Sequence, residues 1–225
     1  MSDIYLVRHG QASFGTANYD QLSELGYQQS RWLGEYFARR GVEFDRIVIG
    51  GQARHRQTAE SICEGMNASQ PLECIEGFSE YDFEAIFQLY LQQFPDQRPT
   101  EGERDRTVFY RLLIRALHAW ADDTLRGELP ESWQQFESRV RDALEAVRDT
   151  SRGSKVLVVS SGGAISLATS LVLEAPPSAM ISLNLQLRNT GVTRLSNSRN
   201  RAHLFSFNEM YHLDDSERHH AITYS

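Results

Sequence analysis

Cysteine is scarce in this 225-residue chain: Cys63 and Cys74 are the only two, too few for a disulfide framework and not spaced as metal ligands. Both read as buried, inert thiols of a reducing compartment, so the expected location is cytoplasmic. No apolar run approaches the roughly 20 residues that span a bilayer. The short run at the N-terminus is interrupted by Asp3 and Arg8, so neither a membrane anchor nor a secretory leader is expected. Positive charge is short as well. Lys and Arg total 23 against 30 Asp and Glu, a net charge of −7 that argues against a nucleic-acid or membrane-surface binder. A local basic pocket for a small phosphate remains open. Walker loop, dinucleotide fingerprint, internal repeat and linker are also missing, and no metal or cofactor is expected. What is present is ordinary for a globular protein, 40% hydrophobic and 24% charged. Residues 1–225 read as one domain.

The pattern along the chain favours an α/β fold. Ile4–Val7 is a continuous apolar run, as in a strand buried on both faces, and it stops in Arg8-His9-Gly10. Ser23 suits a helix N-cap, and Arg39-Arg40-Gly41 suits the helix end. Ile47–Ile49 reads as a second buried strand, followed by a helix with Ala59, Ile62, Cys63 and Met66 on one face. This alternation predicts a three-layer α/β/α arrangement, a mostly parallel sheet flanked by helices. From about 84 to 130 the pattern becomes helical and aromatic-rich, with a polar break from Asp96 to Arg104 and a helix from Val108 to Leu125. That stretch reads as a helical cap inserted over the sheet. Ser132 opens a further helix with Trp133, Phe136, Val140, Leu144 and Val147 along one stripe. Lys155–Val159 is the next buried strand, and Ser160-Ser161-Gly162-Gly163 leads into a helix from Ala164 to Leu173 that Pro176-Pro177 ends. Val192–Leu195 and Leu204–Phe207 read as late edge strands, a surface that would permit a homodimer.

In open α/β sheets, ligands bind beyond the carboxyl ends of the strands. Arg8-His9 at such an end either meets an anion or is an ordinary polar loop. Three more stretches belong at the same edge if the sheet is parallel: Gln52-Ala53-Arg54-His55-Arg56-Gln57-Thr58-Ala59-Glu60, the carboxylate-bearing Phe78-Ser79-Glu80-Tyr81-Asp82-Phe83, and Ser160–Gly163.

Together these motifs resemble the histidine phosphatase superfamily, also called phosphoglycerate mutase-like. The resemblance runs from Arg8-His9-Gly10 through Arg-x-x-Gln-Thr-Ala at Arg54–Ala59 to Asn189–Gly191. The loop Gln11–Gly15 and the tail Phe207–Leu213 look like a bacterial phosphatase-type subgroup, with Gln11 and Ser13 as possible substrate-pocket residues. The resemblance implies metal-independent hydrolysis of a phosphomonoester through a phosphohistidine. His9 would be the nucleophile, Arg8 and Arg54 the phosphate clamp, and Glu80 the general acid and base. A raised Glu80 pKa would come from burial or from Asp82 and Glu84. Arg56 is the alternative to Arg54, and Asp82 or Glu84 the alternatives to Glu80. The substrate would be a small-molecule phosphomonoester or a phosphoprotein.

The departure is at Ser161, where most of the family has a second, phosphate-binding histidine. A serine offers one neutral hydrogen bond, and losing one charged donor from such a clamp costs about 10²–10³ in rate by analogy with oxyanion holes. The amides of Gly162 and Gly163 would still favour an anion. His212 could fill the gap or be a hydrogen-bonded structural residue. Ser161 keeps a second reading open, a phosphoester-binding or regulatory protein with weak or no catalysis. A phosphomutase fits less well, because the segment between Gly10 and Leu22 is short and lacks the Trp-Asn and Gly-Trp features of phosphoglycerate mutases.

Overall fold

The Ile4–Val7 run lies in strand β1 (Ser2–Arg8), buried along almost its whole length in the middle of a sheet. The computed structural model describes residues 2–13, 20–98, 106–198 and 201–224. Helix α1 (Glu24–Arg39) follows, then β2 (Arg46–Ile49), α2 (Ala53–Met66) and a short β3 (Leu72–Cys74). Helices α3 (Phe83–Gln93), α4 (Arg106–Ala121) and α5 (Trp133–Arg148) come before β4 (Lys155–Ser160). The chain continues through α6 (Gly162–Val172), α7 (Pro177–Asn184), β5 (Val192–Asn197) and β6 (Ala202–Glu209).

The six strands run in the order β3-β2-β4-β1-β5-β6. The pairs β2–β3, β2–β4 and β1–β4 are parallel, while β1–β5 and β5–β6 are antiparallel, so the sheet is mixed. Successive side chains of a strand point to opposite faces. Tyr5 and Val7 accordingly join Leu33 and Phe37 of α1 and Ile62 of α2 in one core. Ile4 and Leu6 join Phe136 and Val140 of α5 and Ile165 of α6 in the other. This is the three-layer α/β/α architecture.

Local signals set the helix boundaries. Ser23 Oγ accepts from Gly26 N at 3.1 Å, and Ser132 and Gln135 form a reciprocal capping box. Gly41 takes the left-handed conformation just past α1, with φ of 63°. The aromatic helices of the cap stretch are not set apart: Ile86 and Tyr90 of α3 and Leu112 and Trp120 of α4 belong to the core that holds Phe136.

Several expectations need correction. Val192–Leu195 is not at an edge, because β5 is held between β1 and β6; only β6 is exposed there. The cap helix stops at Ala121, where Asp123 turns left-handed (φ 53°) and Thr124 N caps the Ala119 carbonyl. Cys63 is buried, but Cys74 is exposed, since it ends the short edge strand β3. The helix ahead of Pro176-Pro177 does end before them, and Pro177 then starts α7, a helix not expected from the sequence, because proline suits the first helical position. Of the polar break, Pro95–Gln97 forms one 3₁₀ turn and residues 99–104 lie outside the described ones, as do Phe14 and Gly15. No helix among the described residues is long and apolar enough to cross a membrane.

Candidate active site

Three parallel strands end side by side, with Arg8 opposite Ser160 and Ile49 opposite Val159. The segments leaving this edge carry His9, Ser161 and, in the first turn of α2, Arg54. His9 N donates to the Ser160 carbonyl at 2.9 Å, which holds the β1 exit against the β4 exit. Gly10 is required by close approach: a Cβ there would lie 2.5 Å from the Gly26 carbonyl oxygen. The Gln-Thr pair of Arg54–Ala59 fastens α2 to the same loop. Gln57 Oε1 accepts from Leu22 N at 2.9 Å, and Thr58 Oγ1 accepts from Gly10 N at 3.0 Å. Asn189 Nδ2 donates to the His9 carbonyl from the other side at 3.1 Å.

His9, Arg8 and Arg54 are 5%, 7% and 8% exposed, and all three line one cavity of about 710 Å³ together with Glu80. His9 Nδ1 lies 2.8 Å from the Gly10 carbonyl, which can only accept, so Nδ1 carries the proton and Nε2 keeps its lone pair. Burial holds the His9 pKa well below the usual imidazole value, helped by Arg54, Arg8 and His55, so the ring is neutral. Arg8 Nη1 is anchored on the Leu187 carbonyl at 2.5 Å. Arg54 Nη1 pairs with Asp20 at 2.9 Å, and the same carboxylate accepts from Ala53 N at 2.8 Å. Arg56, by contrast, is exposed on the outside of α2.

Glu80 sits partly exposed in the cavity wall, with protein on most sides. Desolvation raises its pKa above the usual carboxylate value, against opposing contributions from Gly163 N–H, Arg54, Tyr81 N–H and Arg8. Asp82 and Glu84 are not the cause. Asp82 caps α3 by accepting from Ala85 N at 2.9 Å, and Glu84 is exposed in the first turn of that helix.

Ser161 lies beneath the cavity and does not line it. Its Oγ accepts from Arg54 Nη2 at 3.2 Å and meets Nε2 of His55 at 2.7 Å. His55 is fully buried, its pKa is depressed to about 3 by burial and by Arg54, and its ring lies 5.8 Å from that of His9. We assign the His55 proton to Nδ1, which faces the Gly50 backbone; Nε2 then accepts the Ser161 hydroxyl proton. His55, Asp20 and Asn184 were not singled out from the sequence as site residues. His55 had a legible signal, since it precedes Ala59 by four and Ile62 by seven and so shares their buried stripe.

Other expected placements change. Gly163 N donates to Glu80 Oε2 at 3.0 Å, so that amide orders the carboxylate instead of awaiting an anion; Gly162 packs beside Asn184 and Arg8. Gln11 and Ser13 turn away from the cavity. Gln11 Oε1 accepts from Ser23 Oγ at 2.8 Å and Ser13 Oγ donates to the Leu22 carbonyl at 3.0 Å, which ties the loop to the start of α1. His212, by contrast, takes the structural role of the two left open by the sequence: it is buried, bonded to Thr190 Oγ1 at 2.8 Å, and does not line the cavity. Among the described residues no cluster of three His, Cys, Asp or Glu side chains is arranged to hold a metal ion.

Comparison with known proteins places this geometry. A protein named probable phosphoglycerate mutase GpmB, from Erwinia tasmaniensis, is 29% identical over 203 residues, covering 87% of this chain and 85% of that protein. Among solved structures, Bacillus stearothermophilus YhfR superposes with a TM-score of 0.69 at 19% identity, over 94% of this chain and 99% of that one. A phosphoserine phosphatase mutant from Entamoeba histolytica, in complex with phosphoserine, has a TM-score of 0.66 at 21% identity, over 95% and 100%. At these identities the structures show a shared fold. The family model of the histidine phosphatase superfamily (branch 1) matches residues 4–210. The chain therefore belongs to the histidine phosphatase superfamily.

Proposed function

We propose that the protein hydrolyses phosphomonoesters, without a metal ion, through a phosphohistidine on His9. The observation that carries the reading is the convergence, in one cavity, of a neutral imidazole with a free Nε2 lone pair, two buried arginines and a carboxyl with a raised pKa. In the first step Nε2 attacks phosphorus and the bond from phosphorus to the leaving oxygen breaks. Protonated Glu80 gives its proton to that oxygen. In the second step Glu80 takes a proton from water, the water oxygen attacks phosphorus, and the phosphorus–nitrogen bond breaks to free inorganic phosphate and neutral His9. Arg8 and Arg54 hold the equatorial oxygens, where phosphoryl transfer is chiefly stabilised.

The names of the sequence relatives favour a second reading, phosphoglycerate mutase activity. Incubation with an aryl phosphate and, separately, with 3-phosphoglycerate, both with chelator present, separates the two. Chelator-resistant release of inorganic phosphate from the aryl ester is expected. Interconversion of phosphoglycerates without phosphate release would give the mutase reading instead.

Ser161 motivates the third reading, a binding protein with a damaged clamp, and Ser161→His tests it. A gain of activity on restoring a histidine would support that reading. The expected result is a loss, because His55 Nε2 already stands 2.7 Å from Oγ in a site only 1% exposed. Overpacking of this kind costs about 1–3 kcal/mol. The variant should melt several degrees lower and release phosphate more slowly. The double variant Ser161→His/His55→Ala, which opens the occupied space, should recover much of both. Melting temperature and initial rate of the native chain, Ser161→His and the double variant check this.

A further inference from the structure

The chemistry occupies one end of the cavity, and the rest of its wall has a different character. Away from Arg8, His9, Arg54 and Glu80, the described lining residues carry no charge. Phe83, Phe109, Leu113, Leu185, Leu187 and Tyr224 make up most of that wall. Arg188, a cation close by in the fold, donates Nε to the Tyr224 hydroxyl at 3.1 Å and does not line the cavity. Asn184, the one amide in the wall, donates Nδ2 to the Tyr81 hydroxyl at 3.1 Å.

Exposed apolar side chains are also concentrated here. Six large hydrophobic residues are exposed among the described ones, and three of them, Phe83 (37%), Phe109 (39%) and Tyr224 (52%), surround this cavity. An exposed apolar cluster beside a polar centre marks a binding surface.

We propose, on the hydrolase reading above, that the substrate's leaving group is an apolar, uncharged alcohol, aromatic or bulky aliphatic, so that the phosphoryl group is the substrate's only anion. The two arginines take the phosphoryl oxygens, and the aromatic and leucine wall takes the body of the alcohol. A second anion, such as the carboxylate of phosphoserine or phosphoglycerate, would lie against Phe and Leu side chains with no described cation of the wall to pair it, which is costly. Cleavage breaks the bond between phosphorus and the alcohol oxygen. Glu80 protonates that oxygen, and a neutral apolar alcohol departs from the wall that held it. Phe83 on α3 and Phe109 on α4 bring the cap helices into recognition, while Tyr224 lines the cavity from the C-terminal segment.

The test compares 2-naphthyl phosphate with O-phosphoserine and 3-phosphoglycerate in two assays. In the native chain, kcat/KM should favour the naphthyl ester by at least about 100-fold. In His9→Ala, calorimetry should show the same order of affinity without turnover. Leu113→Arg, a half-buried position facing the cavity, should narrow the ratio between naphthyl phosphate and phosphoserine at least about tenfold. Equal or reversed preference in the binding assay, or no binding of any of the three, overturns the substrate class. Preferential binding of naphthyl phosphate by His9→Ala, with no turnover of any ester by the native chain, upholds the substrate class and overturns the hydrolase reading.

Discussion

Phosphate release in His9→Ala is expected to fall by about 10⁴–10⁶, the range seen when an enzyme loses its nucleophile. The size follows from how many contributions meet on this ring. The Gly10 carbonyl fixes the tautomer, and burial with Arg54, Arg8 and His55 keeps the ring unprotonated. The β1 exit that carries it is pinned through Ser160, Thr58 and Asn189. None of these supports can replace the nitrogen that forms the bond. His9→Ala should keep its melting temperature within a few degrees, since the ring makes one side-chain hydrogen bond, to its neighbour. A near-normal rate in a folded His9→Ala would show that phosphorus is attacked by another group.

Glu80→Gln is expected to lose about 10²–10⁴ in rate for an alkyl ester, the usual worth of a positioned general acid. The loss should be smaller for an aryl ester, whose leaving oxygen needs less help. The pH profile carries more information than the rate. Glu80 must be protonated for the first step, and its pKa is raised above the ordinary carboxylate value. Formation of the phosphorylated enzyme should therefore be fastest on the acidic side and fall as pH rises through that raised value. His9 must be neutral, and its pKa is lowered well below 6.5, so the acid limb lies far under neutrality. Phosphorylation rates should decline as pH rises through that raised value, and this decline should vanish in Glu80→Gln, which has no proton to lose. An unchanged profile in Glu80→Gln would move the general acid elsewhere.

The parts of the site carried by parallel strands were legible in the sequence, because an apolar run ending in polar residues reports both the strand and its edge. Ile4–Val7 before Arg8-His9, and Val156–Val159 before Ser160-Ser161, are of this kind. Arg54 and Glu80 came from resemblance, and their difference from Arg56, Asp82 and Glu84 is one of burial, which spacing does not report. What escaped depends on contacts distant in sequence. Asp20 meets Arg54 across a loop with no periodic pattern. The amide of Gly163 is taken by Glu80, 83 residues away in sequence, where a helix start alone suggested an anion site. Ser161 read as a loss because its partner His55 lies on another element, 106 positions away. β3 was missed because three residues give too short a pattern, and with it the exposure of Cys74.

The most direct test is to mix the native chain with an aryl phosphate at mildly acid pH, quench in alkali within a turnover, and map phosphoryl groups by peptide mass spectrometry. Phosphohistidine survives alkali, so a phosphoryl group on His9 is expected, more abundant in Glu80→Gln with an activated aryl ester, where loss of the base slows hydrolysis of the intermediate. The label should be absent in His9→Ala. Turnover with no phosphoryl group on His9 at any quench time, or a label on another residue that persists in His9→Ala, would contradict the phosphohistidine route.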